Sequence, residues 1–290
     1  MMMASAGRIK KKFRELRARN EAALVPFVVA GDPDLDTTRR LILELEKHGA
    51  DLIEIGVPFS DPTADGPANQ RSLARGLGAG ASIAAILSMV SEIRAQTEMP
   101  LMLYGYYNPI FHYGCEQLCA DATRAGVDAL LVVDLPMEEA GELKGPARAN
   151  GLDIIQLLAP TTPIERSRKI ARSASGFLYY VSVTGVTGAR TNLDSDLSAH
   201  IRELRSVTDL PIGVGFGIST PAQAAEVATI ADAVVVGSAI SLLIESHTSS
   251  GDVIAAVGGL VGAMKDAMRA ARTSQNAAEA GNTDADNTNG

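Results

Sequence analysis

The sequence predicts a single closed (β/α)8 barrel of the α/β class. Three observations carry that prediction. Short apolar runs alternate with helix-patterned segments eight times along the chain, which argues for a parallel sheet. Those runs are apolar on both of their faces, as strands covered on both sides must be. The length, 290 residues with 46% hydrophobic, suits one barrel of about 250 residues plus extensions, and no linker sets off a second domain. Residues 1–273 are therefore read as one barrel domain with an extra N-terminal helix, and 274–290 as a tail.

Taken in order, residues 8–20 are an amphipathic helix with Ile9, Phe13 and Leu16 on one side. Residues 24–30 (LVPFVVA) form a continuous apolar run, hence a buried strand, ended by Gly31-Asp32-Pro33. Asp36 is read as the cap of a helix that runs to His48 and stops at Gly49. His48 is a last-turn residue favoured by the helix dipole. The second strand is 51–55, with an extra helix near 68–75. Helix 83–97 leads to strand 101–106. Helix 115–124 ends at Gly126 and precedes strand 129–133. Helix 137–149 ends before Gly151 and precedes strand 154–158. Helix 164–173 precedes strand 177–181, helix 197–207 precedes strand 212–214, and helix 221–229 precedes strand 233–236. A final helix covers 253–271. From Ser274 the chain (SQNAAEAGNTDADNTNG) is polar and low in complexity, and is expected to be a disordered tail.

The bulk properties exclude several function classes. A net charge of −8 argues against nucleic acid and anionic membrane as partners. A small anionic ligand stays open, because a local site overrides net charge. Cys115 and Cys119 are the only cysteines, too few for a zinc site or a disulfide framework. His112, His200 and His247 show no metal spacing, so no metal is expected. The first 20 residues carry charges without an apolar core, unlike a secretory signal, and Glu15 and Glu21 argue against a transit peptide. No apolar run approaches the roughly 18 residues of a membrane span. The expected location is the cytoplasm. Residues 76–81 (GLGAGA) match GxGxxA, but no strand precedes them, so the dinucleotide-binding reading fails its context test.

The chemistry centres on 51–67 (DLIEIGVPFSDPTADGP). Strand alternation puts Leu52 and Glu54 on one face and Ile53 and Ile55 on the other. Glu54 is a carboxylate where an aliphatic residue would pack better, and burial drives such a group toward its neutral form. Pro58, Pro62 and Pro67 stiffen the loop that follows and hold Asp65 near Glu54. Two carboxylates in unlike environments make an acid/base pair, with Glu54 desolvated and Asp65 ionised in a polar loop. The purely structural alternative gives Glu54 a buried arginine partner and makes Asp65 a helix cap. Barrel active sites are built from the loops after the strands, which is where both residues fall.

Glycine-rich stretches sit on the later loops: 182–190 (SVTGVTGAR), 213–219 (GVGFGIS) and Gly237-Ser238. Glycine lets backbone N–H groups approach phosphate oxygens, and phosphate sites in such barrels often use the loops after strands seven and eight. Gly217, Gly237 and Ser238 form the expected cradle, closed over by Gly188.

The run IEIGVPFSDPTADGP resembles the signature of the tryptophan synthase alpha chain family. PFVVAGDP, YYNPIFHYG, VVDLPMEE, SVTGVTGAR, GFGIS and VGSAI resemble the family in the same order, from Val25 to about Ile244. The resemblance implies a barrel that cleaves indole-3-glycerol phosphate to indole and glyceraldehyde 3-phosphate. It implies no cofactor in this chain, and a pyridoxal-phosphate-dependent beta subunit as partner in an α2β2 heterotetramer. It places the catalytic carboxylates on Glu54 and Asp65, and phosphate contacts on Gly188, Gly217, Gly237 and Ser238. It further implies an indole pocket of Phe27, Leu131 and Tyr179. A mobile loop at 183–192 would bring Thr187 near the aspartate, and partner-facing positions fall on Asp61, Pro62, Asn108 and Pro136. Other readings are a free-standing lyase, another phosphate-binding barrel enzyme, and a non-catalytic regulatory subunit. A Schiff-base aldolase would need a strand lysine, and none of the eight predicted strands has one.

Overall fold

The computed structural model describes residues 7–181, 193–215, 217–248 and 252–286. Eight strands follow the predicted apolar runs: β1 (Ala23–Val29), β2 (Ile53–Gly56), β3 (Leu101–Gly105), β4 (Ala129–Val132), β5 (Asp153–Leu158), β6 (Leu178–Val181), β7 (Ile212–Gly215) and β8 (Ala233–Val236). Each pairs in parallel with the next, and β8 closes on β1 with Ala23 opposite Ala233. The barrel is the predicted one.

The alternation of side chains sorts the core into two layers. Leu24, Val28, Ile53, Ile55 and Leu103 point outward against the helices. Val25, Leu52, Met102, Leu131, Ile155, Tyr179 and Val235 fill the interior. Glu54, between two outward isoleucines, therefore points into the barrel. The first helix, α1 (Arg8–Ala18), plugs the end where the strands begin. Its Ile9, Phe13 and Leu16 join the interior cluster, and Phe13 meets Phe177 at 5.7 Å between ring centroids.

The outer helices are α2 (Leu35–Lys47), α4 (Ile83–Arg94), α6 (Cys115–Ala125), α7 (Gly141–Ala149), α8 (Ile164–Ser173), α9 (Leu193–Arg205), α10 (Pro221–Ala228) and α12 (Val253–Asp286). Between them, α3 (Pro67–Gly78), α5 (Tyr107–Tyr113) and α11 (Ser238–His247) lie after β2, β3 and β8. Two sequence expectations shift. The cap of α2 is Asp34, not Asp36: Asp34 is extended, and its Oδ1 accepts the Thr37 N–H at 2.7 Å. A cap needs non-helical backbone, whereas Asp36 is already in the first turn and pairs with Arg39. Helix α5 was not anticipated. It is a short helix directly after β3, with only Ile110 buried, too brief for a periodic signature.

Helix α12 binds the two ends of the chain together. It lies against α2, and its Val257, Val261, Met264 and Met268 belong to the same buried cluster as Leu41 and Leu45 of that helix. Lys265 is 1% exposed, and its Nζ lies 2.8 Å from Asp51 Oδ2, 3.0 Å from Ala22 O and 3.1 Å from Glu21 Oε2. Asp51 Oδ2 also accepts the Leu24 N–H. A buried ammonium with three oxygen partners is satisfied, and removing one partner of such a pair is strongly destabilising. The helix continues past Ser274 to Asp286, so the polar tail begins as its extension. Among the described residues no single helix is long and apolar enough to cross a membrane.

Candidate active site

Register places Glu54 beside Phe27 of β1 and Met102 of β3. Glu54 is 1% exposed, and its Oε1 has no hydrogen-bond partner among the described residues. Burial, with the neighbouring Asp65 second, pushes its carboxyl up to about 8. No arginine contributes to that shift, so the structural alternative for Glu54 is not realised.

Asp65 lies in the loop between β2 and α3. Its backbone N–H turns back to Pro62 O, and Gln70 Nε2 holds its carbonyl at 2.8 Å. It does not cap α3, whose N-cap is Gly66 without a side-chain bond. The sequence reading put this carboxylate in a polar loop, and the structure corrects that: Asp65 is 8% exposed. Two tyrosines cover it. Tyr106 Oη donates to Oδ2 at 2.6 Å and Tyr104 Oη to Oδ1 at 3.2 Å, while Asn69 Nδ2 lies 3.4 Å from Oδ1. Burial pushes its carboxyl above the ordinary value, and those three donors oppose the rise. Both groups are thus raised, Glu54 by burial reinforced by the charge of Asp65, and Asp65 by burial against three opposing donors.

The side chains named for the ring pocket converge on this pair. Phe27 is buried and meets Tyr104 edge-on at 5.0 Å. Leu131 and Tyr179 belong to the same interior cluster. Tyr179 depends on Gly215 across the β6–β7 pair: a Cβ at 215 would fall 2.4 Å from its hydroxyl. Burial raises the Tyr179 phenol well above its usual value, so it stays neutral.

At the far side of the mouth, Gly237 caps α11 and Ser238 opens it. A Cβ on Gly237 would touch Phe27 Cδ1 at 3.4 Å and Asn69 Nδ2 at 3.5 Å, so this helix end adjoins the ring pocket. Helix starts leave N–H groups unpaired and favour anions. Gly217, after β7, has φ +75°, a conformation glycine adopts freely. Thr187, Gly188 and the loop 183–192 lie outside the described residues.

Asp61 and Asn108 are exposed, Pro62 is half-buried and Pro136 exposed. They follow β2, β3 and β4, so all four sit at the end of the barrel that carries Asp65. A separate cleft of about 680 Å³ lies between α5, α6 and α7, lined by Phe111, Cys115 and Glu142 among others, and holds none of the predicted site residues.

Sequence reasoning missed Tyr104, Tyr106 and Asn69. Signals existed for each. Tyr104 and Tyr106 are two apart at the end of the strand beside β2, hence on one face. Asn69 is four residues beyond Asp65 at a helix start, a spacing that brings side chains together.

Fold and site together define a class: a (β/α)8-barrel enzyme with a carboxyl pair at the mouth of the barrel and no lysine on any strand. Within that class the chain belongs to the tryptophan synthase alpha chain family, whose pattern matches residues 13–269. It is 56% identical over 258 residues to the tryptophan synthase alpha chain of Citrifermentans bemidjiense, covering 89% of this chain and 96% of that one. It is 54% identical over 263 residues to that of Geotalea uraniireducens, covering 91% and 98%. Tryptophan synthase subunit alpha from Legionella pneumophila superimposes with a TM-score of 0.84 at 39% identity, covering 92% of this chain and 99% of that one. The chain is accordingly a lyase of tryptophan biosynthesis, acting on indole-3-glycerol phosphate.

Proposed function

We propose that Glu54 and Asp65 carry the retro-aldol cleavage of indole-3-glycerol phosphate to indole and glyceraldehyde 3-phosphate. The observation that carries this reading is the buried Glu54 carboxyl, without a partner for Oε1 and pushed up to about 8 beside Asp65. At neutral pH it holds a proton to give. Glu54 protonates the ring carbon that bears the side chain, making an indolenine whose nitrogen becomes cationic. Asp65 stabilises that charge as it develops. The Glu54 carboxylate so formed takes the proton from the hydroxyl on the adjacent side-chain carbon. The carbon–carbon bond then breaks, its electron pair returns to the ring, and the hydroxyl carbon leaves as the aldehyde. One carboxyl serves as acid and then base.

Phe27, Leu131 and Tyr179 supply the apolar wall for the ring. Gly217, Gly237 and Ser238, with Gly188 from the loop after β6, hold the phosphate end, and Thr187 of the same loop comes near Asp65. Binding energy there helps to orient the reacting carbons. The chemistry is complete with this chain's own groups, and no cofactor is assigned to it.

An alpha chain implies a beta subunit, and among the similar structures is tryptophan synthase from M. tuberculosis, with a TM-score of 0.81 and 31% identity, covering 91% of this chain and 99% of that one. In our reading the assembly is an α2β2 heterotetramer in the cytoplasm, with pyridoxal phosphate in the beta subunit. Asp61, Pro62, Asn108 and Pro136 form the docking face. Their place at the end of the barrel that carries Asp65 supports this, because indole released there passes directly into the partner. Docking on the Asp61–Pro62 loop also biases Asp65, so the complex should outperform the isolated chain by roughly 30- to 150-fold, a coupling of about 2 to 3 kcal/mol. The test is indole release from indole-3-glycerol phosphate by the purified chain, followed by titration with beta subunit. No indole in either case would sink the reading. Full activity that the partner leaves unchanged would make the chain a free-standing lyase. Normal complex formation by Asp61→Ala and Pro62→Ala variants would move the docking face elsewhere.

A further inference from the structure

Asn69 is the third residue of α3, and its amide joins two parts of the site. Its Nδ2 faces Asp65 Oδ1 at 3.4 Å. Its Oδ1 accepts the Ser241 hydroxyl at 2.9 Å, and Ser241 is 2% exposed on the second turn of α11. The same Nδ2 lies 3.5 Å from where a Cβ of Gly237 would be. One amide thus touches the loop that carries Asp65 and the opening turns of α11.

The rest of the α3–α11 seam is fastened separately. Arg71 grips Glu245 through Nε and Nη2 at 2.7 and 2.8 Å. Arg75 reaches Glu245 at 3.1 Å and makes two bonds of 2.7 Å to Asp32, whose side chain is fully buried. These pairs hold the helices together at turns farther from the barrel mouth. Asn69 adds little to that hold, and an aliphatic side chain would fill its place without desolvating an amide. What asparagine supplies is direction: an acceptor held by Ser241 turns its donor toward Asp65.

We propose that Asn69 is a positioning residue that sets the Asp65 carboxylate against the first turns of α11. The inference rests on the reading given above, in which substrate spans the two, with the ring nitrogen at Asp65 and the phosphate at Gly237 and Ser238. Asn69 then fixes the separation across which the substrate must fit. The phosphate amides themselves do not depend on it, so its loss falls on turnover more than on binding.

The experiment measures indole release from indole-3-glycerol phosphate by the chain with its beta subunit. Release by the wild type is the control. Its absence would overturn the functional reading, and this inference with it. Given an active wild type, Asn69→Ala should lower kcat about tenfold and change KM by less than about threefold, short of the about hundredfold that a 1 Å misplacement carries. Ser241→Ala frees the amide to turn and should lower kcat by a smaller factor. The double variant should be no slower than Asn69→Ala alone, because both changes break one interaction. Asn69→Asp keeps the shape and the acceptor for Ser241 but sets a second carboxylate against Asp65. It should fall below the alanine variant in kcat while keeping the wild-type far-UV circular dichroism, and it carries the test if the alanine variant fails to fold. A wild-type kcat in Asn69→Ala or in Asn69→Asp would overturn the proposal. So would a loss confined to KM, or independent multiplying losses in the double variant.

Discussion

Glu54→Gln should stabilise the fold and abolish the reaction, and the stabilisation should grow with pH. A carboxyl that titrates at 4.5 in the unfolded chain is pushed up to about 8 in the barrel. Between those values the native state keeps a proton that the unfolded state has lost. Stability therefore falls as pH rises through that window and levels off above about 8. At about 1.4 kcal/mol per pH unit, the wild type should lose roughly 4 kcal/mol between pH 5 and pH 9 through this one group. Glutamine has the same shape and no such proton. Its stability relative to the wild type should rise by a comparable amount over the same range, read from urea unfolding at pH 5, 7 and 9. Turnover in the same variant should drop by about 10² to 10⁴, the usual worth of a positioned acid or base. A stability difference independent of pH would refute the desolvation argument. Retention of more than about a tenth of wild-type turnover would remove Glu54 from the chemistry.

Three further substitutions probe the surroundings. Tyr106→Phe deletes the 2.6 Å donor to Asp65, so the Asp65 carboxyl should rise further; the acid limb of kcat/KM should move to higher pH, with about a tenfold loss at neutral pH. Gly217→Val forces a β-branched residue on φ +75° and should weaken competition by glycerol phosphate by about tenfold or more, a cost of 1–3 kcal/mol in backbone strain; equal competition would dismiss the cradle. Lys265→Met leaves the Asp51 carboxylate without its buried ammonium and should lower unfolding free energy by about 3–5 kcal/mol without altering kcat in the surviving folded protein, and a loss under about 1 kcal/mol would show the pair to be replaceable.

The barrel was legible because each strand is a short apolar run bounded by turn residues, a pattern that needs no knowledge of distant contacts. Glu54 was legible for the same reason, as a carboxylate in the middle of such a run. Asp65 was legible in place but not in environment. Its burial comes from Tyr104 and Tyr106, about forty positions away in sequence, and local pattern does not report which hydroxyl a loop folds under. Asp36 was misread as a cap because the rule names a residue type, whereas the helix start was decided by the extended backbone of Asp34 after Pro33. Helix α5 escaped because one buried residue makes no period.

The closure of β8 on β1 has a bearing on how the protein is made. Ala23 pairs with Ala233, and Lys265 reaches Ala22 and Asp51. During synthesis the first strand must wait for more than two hundred later residues before its free edge is covered by β8. Contacts so remote in sequence form late and slowly. The Glu54 carboxyl is raised by burial inside the closed barrel, and that burial is incomplete until the ring closes. Its readiness to donate a proton at neutral pH is thus a property of the finished ring. A chain lacking β7 and β8 carries both carboxylates in order but lacks the enclosure that raises Glu54.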